Sequence, residues 1–211
     1  MIGWKVALAA TAALASAGLA LVGEPGPTEL VAFKRVELDA KLADRSVHLD
    51  PAEVLSLMRN KQVRLHLLDV RDEVDFNRFH LTDSKRVRAE RLRSGELQKT
   101  LHPLALKIVI SNDEARAEKA WRLLEATGVR GAYVLAGGAN LWVEVFRDGK
   151  IDAQPLPTAG RDDTLRHGFD FALGGRHPFS RPTIDAAEGR SYEEKAELLT
   201  KVKKLAGGCG G

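Results

Sequence analysis

Between about Ser46 and Arg147, short apolar runs alternate with segments whose apolar positions recur every three or four residues. The runs RLHLLDV (64–70), KIVIS (107–111) and GAYVLAGG (131–138) have the length and apolar character of buried strands. DPAEVLSLMRN (50–60) begins as a helix should, with Asp50 at the N-cap, Pro51 at the first helical position and Glu53 spaced to close a capping box. EARAEKAWRLLEATG (114–128) has a helical stripe of Ala117, Ala120, Trp121, Leu123 and Leu124, and Gly128 ends it. ANLWVEVF (139–146) reads as a further helix. Alternation of this kind predicts an α/β fold with a parallel sheet flanked by helices. Sites in such sheets lie in loops at the carboxyl ends of strands. The loop to inspect is therefore Ser111, Asn112, Asp113, Glu114, Ala115 and Arg116, which follows KIVI.

The pattern changes on both sides of this domain (46–147). Residues 1–23 carry one charge, Lys5, and then an uncharged run from Val6 to Gly23. That run is near the lower limit for a bilayer span of about 17–25 residues. It reads as a membrane anchor or as a signal peptide with Ala15–Ala17 at the cleavage site. Either reading sends the rest of the chain out of the cytoplasm, to the periplasm in a Gram-negative cell, and an uncleaved segment would tie it to the membrane. Residues 24–45 open with Gly and Pro and read as a linker. Residues 148–190 read as an extended connection, with Phe169, Phe171 and Phe179 available to pack over the sheet. SYEEKAELLTKVKKLA (191–206) predicts a helix, with Ser191 and Glu194 as a capping box and Leu198, Leu199, Val202 and Leu205 as an apolar stripe. Residues 207–211 are an arm of sequence Gly-Gly-Cys-Gly-Gly.

Composition narrows the chemistry. The 211 residues carry a net charge of only +3, with acidic and basic residues interleaved, so no basic stripe suited to nucleic acid is present. A single cysteine excludes an internal disulfide and cysteine-rich metal sites. The six histidines are scattered without ligand spacing, and no metal or other cofactor is expected.

The segment LLDVRDEVDFNRFHL, with Asp69, Arg71, Phe76 and His80, resembles the rhodanese family. YVLAGGANLWVE, with Gly137, Gly138 and Trp142, resembles the closing segment of the same family. The resemblance covers roughly the middle half of the chain. It implies a six-residue active loop whose first residue is a nucleophilic cysteine held as an anion by converging backbone N–H groups. On this alignment Ser111 stands at the cysteine position, Glu114 replaces a frequent glycine and Arg116 is the closing arginine. A serine hydroxyl accepts sulfane sulfur poorly, and no base is adjacent to activate it. Asp113 and Glu114 add negative charge where an anionic donor would sit. At about 4 Å and an effective dielectric near 20, one like-charge pair costs about 4 kcal/mol. The resemblance thus implies a degenerate loop and no sulfurtransferase turnover there, with Asp69 and Arg71 as structural support. Related phosphatase folds need the same missing cysteine.

The one thiol, Cys209, lies between Gly207, Gly208, Gly210 and Gly211. Glycines on both sides predict a mobile, sterically thin cysteine able to enter a partner's active site. The pentapeptide resembles the terminal motif of the sulfur carrier of the Sox thiosulfate-oxidation system (SoxY), although the rest of the chain does not resemble that all-β carrier. The expectation is an exported, membrane-anchored accessory protein that carries sulfur on Cys209 for periplasmic sulfur-oxidation enzymes and is not itself a turnover enzyme. Two alternatives are a non-catalytic rhodanese-like interaction module, and a sulfurtransferase in which Cys209 folds back to the Ser111 loop.

Overall fold

The three apolar runs become the three inner strands of one sheet. The computed structural model describes residues 25–147, 154–155, 163–169 and 171–199. Its strands are β1 (His48–Leu49), β2 (Leu65–Asp69), β3 (Lys85–Arg86), β4 (Leu106–Ile110) and β5 (Ala132–Leu135). They lie in the order β1-β5-β4-β2-β3, and every pairing is parallel. The outer strands β1 and β3 have two residues each, which limits the exposed hydrogen-bonding edge.

The two-residue period of the strands sorts their side chains between two cores. Leu67, Ile108, Ile110, Tyr133 and Leu135 join one core; Leu68, Val109, Ala132 and Val134 join the other. The elements that cover them are α1 (Pro27–Phe33), α2 (Arg35–Ala43), α3 (Pro51–Arg59), α4 (Glu73–Arg78), α5 (Ala89–Arg93), α6 (Glu96–Thr100), α7 (Ala115–Ala126) and α8 (Gly138–Phe146). The first core takes Val54 and Leu55 from α3 and Trp142 and Phe146 from α8. The second takes Leu38 and Leu42 from α2 and Trp121 and Leu124 from α7. Each buried tryptophan also makes a hydrogen bond, Trp121 Nε1 to the Ala132 carbonyl at 2.9 Å and Trp142 Nε1 to the Phe179 carbonyl at 2.8 Å. Residues 50–60, 114–128 and 139–146 thus form helices where their patterns predict them.

Three sequence expectations need correction. Residues 24–45 are not a linker from Pro27 onward. Pro27 occupies the first turn of α1 instead of breaking it, and α2 buries Leu38 and Leu42 in the second core. Residues 191–199 form no helix, and residues 200–206 lie outside the described residues. The reason is tertiary. The N–H groups of Lys195 and Ala196 donate to Glu53 Oε1 at 2.8 and 2.7 Å, and that of Glu197 to the Tyr133 hydroxyl at 2.9 Å. These contacts override a local helical pattern. Glu53, expected to close a capping box on its own helix, is buried and holds this returning segment instead. The Asp50 cap is made, with the side chain accepting from Ala52 N at 2.9 Å.

In the 148–190 connection, β6 (Gln154–Pro155) pairs antiparallel with β7 (His167–Gly168), and 3-10 turns occupy Pro178–Ser180 and Ile184–Ala187. Phe169 stacks on Phe79 and Phe179 packs against it at a tilt, whereas Phe171 is 73% exposed. Among the described residues no helix is long and apolar enough to cross a membrane. The 1–23 segment and the 207–211 arm lie outside the described residues.

Glu53→Ala should release residues 195–197 without unfolding the sheet. Hydrogen exchange at Lys195 and Ala196 should accelerate at least tenfold while that of Ile108 and Val109 stays slow. Glu53→Gln, which keeps an acceptor, should retain most of the protection.

Candidate functional site

The loop 111–116 follows β4 and opens α7 at the carboxyl edge of the sheet. Its backbone is fixed from the side of α8. The carbonyls of Ser111 and Asn112 accept from Ala139 N at 2.8 Å and Asn140 N at 3.0 Å, and so satisfy two of the free N–H groups at the start of α8. This contact needs Gly138, which has φ 59°; a Cβ there would overlap the carbonyl oxygens of Ser111, Asn112 and Asp113.

Ser111 is fully buried. Its hydroxyl donates to the Asp113 carbonyl at 3.2 Å and accepts from Ala117 N at 3.2 Å. The oxygen therefore serves the first turn of α7. Asn112 is also buried; its Nδ2 donates to Asp75 Oδ2 at 2.7 Å and to the Asp163 carbonyl at 3.0 Å. Ala115 is exposed on the first turn of α7.

The acidic pair is not bare charge. Asp113 Oδ1 is 2.6 Å from Arg166 NH2 and 3.0 Å from Asn140 Nδ2. Glu114 is gripped by the Arg45 fork at 2.7 and 3.1 Å and accepts from Gly137 N at 2.7 Å. Burial alone would raise the Glu114 carboxyl, but Arg45 and the Gly137 N–H outweigh it and hold the group below the usual carboxylate range. Repulsion by Asp113 and Glu114, anticipated from the sequence, is thus largely neutralised by two arginines.

What closes the loop to an outside anion is a residue far away in sequence. Asp163, buried and with φ 53°, accepts from Asp113 N at 2.9 Å through Oδ1. Its Oδ2 lies 2.9 Å from Arg116 Nε but finds no aligned hydrogen-bond donor, so that contact is coulombic. The Asn112 N–H also favours its charged form. A carboxylate of the chain itself therefore takes the Asp113 N–H and sits beside the Arg116 guanidinium. Burial pushes the Asp163 carboxyl up, and these donors only partly offset it. Arg116 divides its guanidinium between Asp163 and Asp72, whose Oδ2 is 2.8 Å from NH1.

Asp69 and Arg71 lie under the loop, both buried. Arg71 NH2 donates to Asp69 Oδ2 and to the Phe79 carbonyl, each at 2.7 Å; NH1 reaches Asn112 Oδ1 at 3.3 Å. His80 stacks on Phe76 with centroids 3.9 Å apart, and its Nδ1 lies 2.7 Å from the Phe76 carbonyl, so this pair braces the crossover and stays out of the loop.

One group among the described residues, His48, Glu114 and Glu118, brings donor atoms within 4.8 Å of one another as a metal ion would need. Arg45 already pairs with Glu114, His48 Nε2 lies 3.2 Å from Glu118 Oε1, and burial pushes the His48 imidazole down toward its neutral form. Asp163, Arg166, Asn140 and Arg45 were not singled out from the sequence. Asp163 lies 50 residues from the N–H that it accepts, in a stretch without periodicity, and nothing local marks it. Cys209 and its four glycines lie outside the described residues.

Residues 50–145 match the family model described as Rhodanese-like domain. Similar solved structures include a rhodanese-related protein from Thermoplasma volcanium, at 22% identity over 46% of this chain and 90% of that one with a TM-score of 0.40. Others are a full-length protein from Lactobacillus plantarum (25%, 54% and 92%, 0.41) and a rhodanese-like domain protein from Staphylococcus aureus (18%, 43% and 85%, 0.37). A comparison with curated proteins returned no match.

Arg71→Ala leaves Asp69 buried without a counter-ion and should cost about 3–5 kcal/mol in urea unfolding. The pH dependence of Asp163 has a definite sign. Its folded carboxyl titrates above the unfolded one, so the folded state binds more protons in that window. Its contribution to stability should fall as pH rises from the ordinary carboxylate range through the folded pKa. The unfolding free energy of the wild type relative to Asp163→Asn should decline over that interval; a flat difference would show that the charge costs nothing there.

Proposed function

From a rhodanese-like domain over residues 50–145 whose loop is filled by its own carboxylate, we propose that this chain is a non-turnover sulfur carrier or accessory protein that uses Cys209. The observation that carries this reading is the Asp163 carboxylate lodged against the Asp113 N–H and Arg116, beside a Ser111 hydroxyl already committed at both ends. The loop then has neither a thiol nor room for an anionic donor. The only sulfhydryl in the sequence is Cys209, among four glycines.

The chemistry required is transfer of sulfane sulfur. A partner persulfide is attacked by the Cys209 thiolate; the partner's S–S bond breaks, a new S–S bond forms on Cys209, and the partner thiolate leaves. Discharge to a second thiolate reverses these roles, with no net oxidation. The thiolate must be activated by the partner, because a thiol is a poor nucleophile until deprotonated. Thiosulfate or a related sulfur compound is the proposed source, and partners in the periplasm follow if residues 1–23 direct export. The same occupied seat argues against Cys209 acting in cis, since its sulfur would compete with Asp163 for the same donors.

The full chain should show negligible thiosulfate:cyanide sulfurtransferase activity. Intact-mass spectra from sulfur-oxidising cells should show added sulfur mapped to Cys209, lost with Cys209→Ser and released by reductant. Turnover that survives Cys209→Ser and disappears with Ser111→Ala would refute the reading. Normal sulfur oxidation with Cys209→Ser and no adduct on native protein would leave a rhodanese-like interaction module.

A further inference from the structure

Beside the loop, but distinct from the seat of Asp163, lies a cleft of about 440 Å³ between the carboxyl ends of β2 and β3 and the helices α5 and α7. Its floor is apolar: Val87, Leu92 and Ala120 are buried there, and Val70 and Leu123 line it partly exposed. Its volume falls in the range of small-molecule sites, about 300–1,000 Å³.

The rim is cationic, and part of that charge is uncommitted. Arg93 is paired with Glu90, and Arg116 with Asp72. Arg88 and Lys119 have no acidic partner among the described residues, and both are exposed. Arg86 has its Nε buried without an acceptor, and its NH1 is 3.6 Å from a largely exposed Glu73. The cleft thus combines an apolar floor with three cations, Arg86, Arg88 and Lys119, that are weakly neutralised.

We propose that this cleft binds a small amphipathic organic anion, a carboxylate or sulfonate on an apolar body, with the body over Val87, Leu92 and Ala120 and the acid group among Arg86, Arg88 and Lys119. Two features favour this class. An inorganic oxyanion would leave the apolar floor in water, and a neutral apolar molecule would leave the cations without a counter-ion. A nucleic acid would need an extended basic track and aromatic stacking faces, and no aromatic residue lines the cleft. The site is independent of Cys209 and of the carrier reading.

The test uses the full chain with 8-anilinonaphthalene-1-sulfonate as fluorescent probe and decanoate, decanol and sodium sulfate as competitors. Decanoate should displace the probe at least tenfold better than decanol or sulfate. The double variant Arg88→Glu/Lys119→Glu changes two exposed side chains, so its circular dichroism should be unchanged while affinity for decanoate falls at least tenfold. Raising NaCl from 0.05 to 0.5 M should weaken binding as well, since exposed charges are screened within about 10 Å at 0.1 M. Amide shifts on decanoate addition should centre on Val87, Ala89 and Ala120. Equal binding in the double variant, equal displacement by decanol or by sulfate, or no displacement at all would overturn the assignment.

Discussion

The buried Asp69–Arg71 pair is the interaction on which the site region depends. Arg71 is fixed by a carboxylate at the end of β2, and from there it reaches the Phe79 carbonyl on the crossover to β3 and Asn112 in the loop after β4. A guanidinium has five donors in a rigid plane, so one side chain can tie three segments at once. Without it, each of those segments would bury polar groups lacking a partner. Burying the pair carries a desolvation penalty, and its return is geometric: strand, crossover and loop have one arrangement relative to one another.

On that foundation the loop is closed from two directions. Gly138 lets the loop carbonyls meet the start of α8, and this turns the N–H of Asp113 toward Asp163. The electrostatics are then satisfied internally. Arg45 and Arg166 take the acidic side chains, and Asp163 takes the donors. Few of the charges there are left for a substrate, in contrast to the neighbouring cleft, where Arg88 and Lys119 have no acidic partner among the described residues.

The inner sheet was legible in the sequence because β2, β4 and β5 are buried on both faces, which forces short apolar runs bounded by turn residues. α7 was legible because its single buried stripe gives a clean helical period. The misreadings share one cause, which is that local pattern was overruled by distant partners. Pro27 starts a helix because α1 has α7 to pack on, and residues 195–197 stay out of a helix because Glu53 and Tyr133 capture their N–H groups. Asp163 was invisible for the same reason, as its role exists only once segments 50 residues apart have met. Ser111 and Arg116 could be picked out by position, whereas the ionic partners that define the loop's state could not.

The anchoring of residues 195–199 also fixes which end of the sheet this segment returns to. Leu199 lies against Gly131, at the amino end of β5, and the 111–116 loop lies at the opposite, carboxyl end of the adjacent strand. About ten residues separate Leu199 from Cys209, and a chain of that length spans at most ~35 Å. The last described stretch of chain and the 111–116 loop therefore lie at opposite ends of the sheet, held apart by the strands themselves.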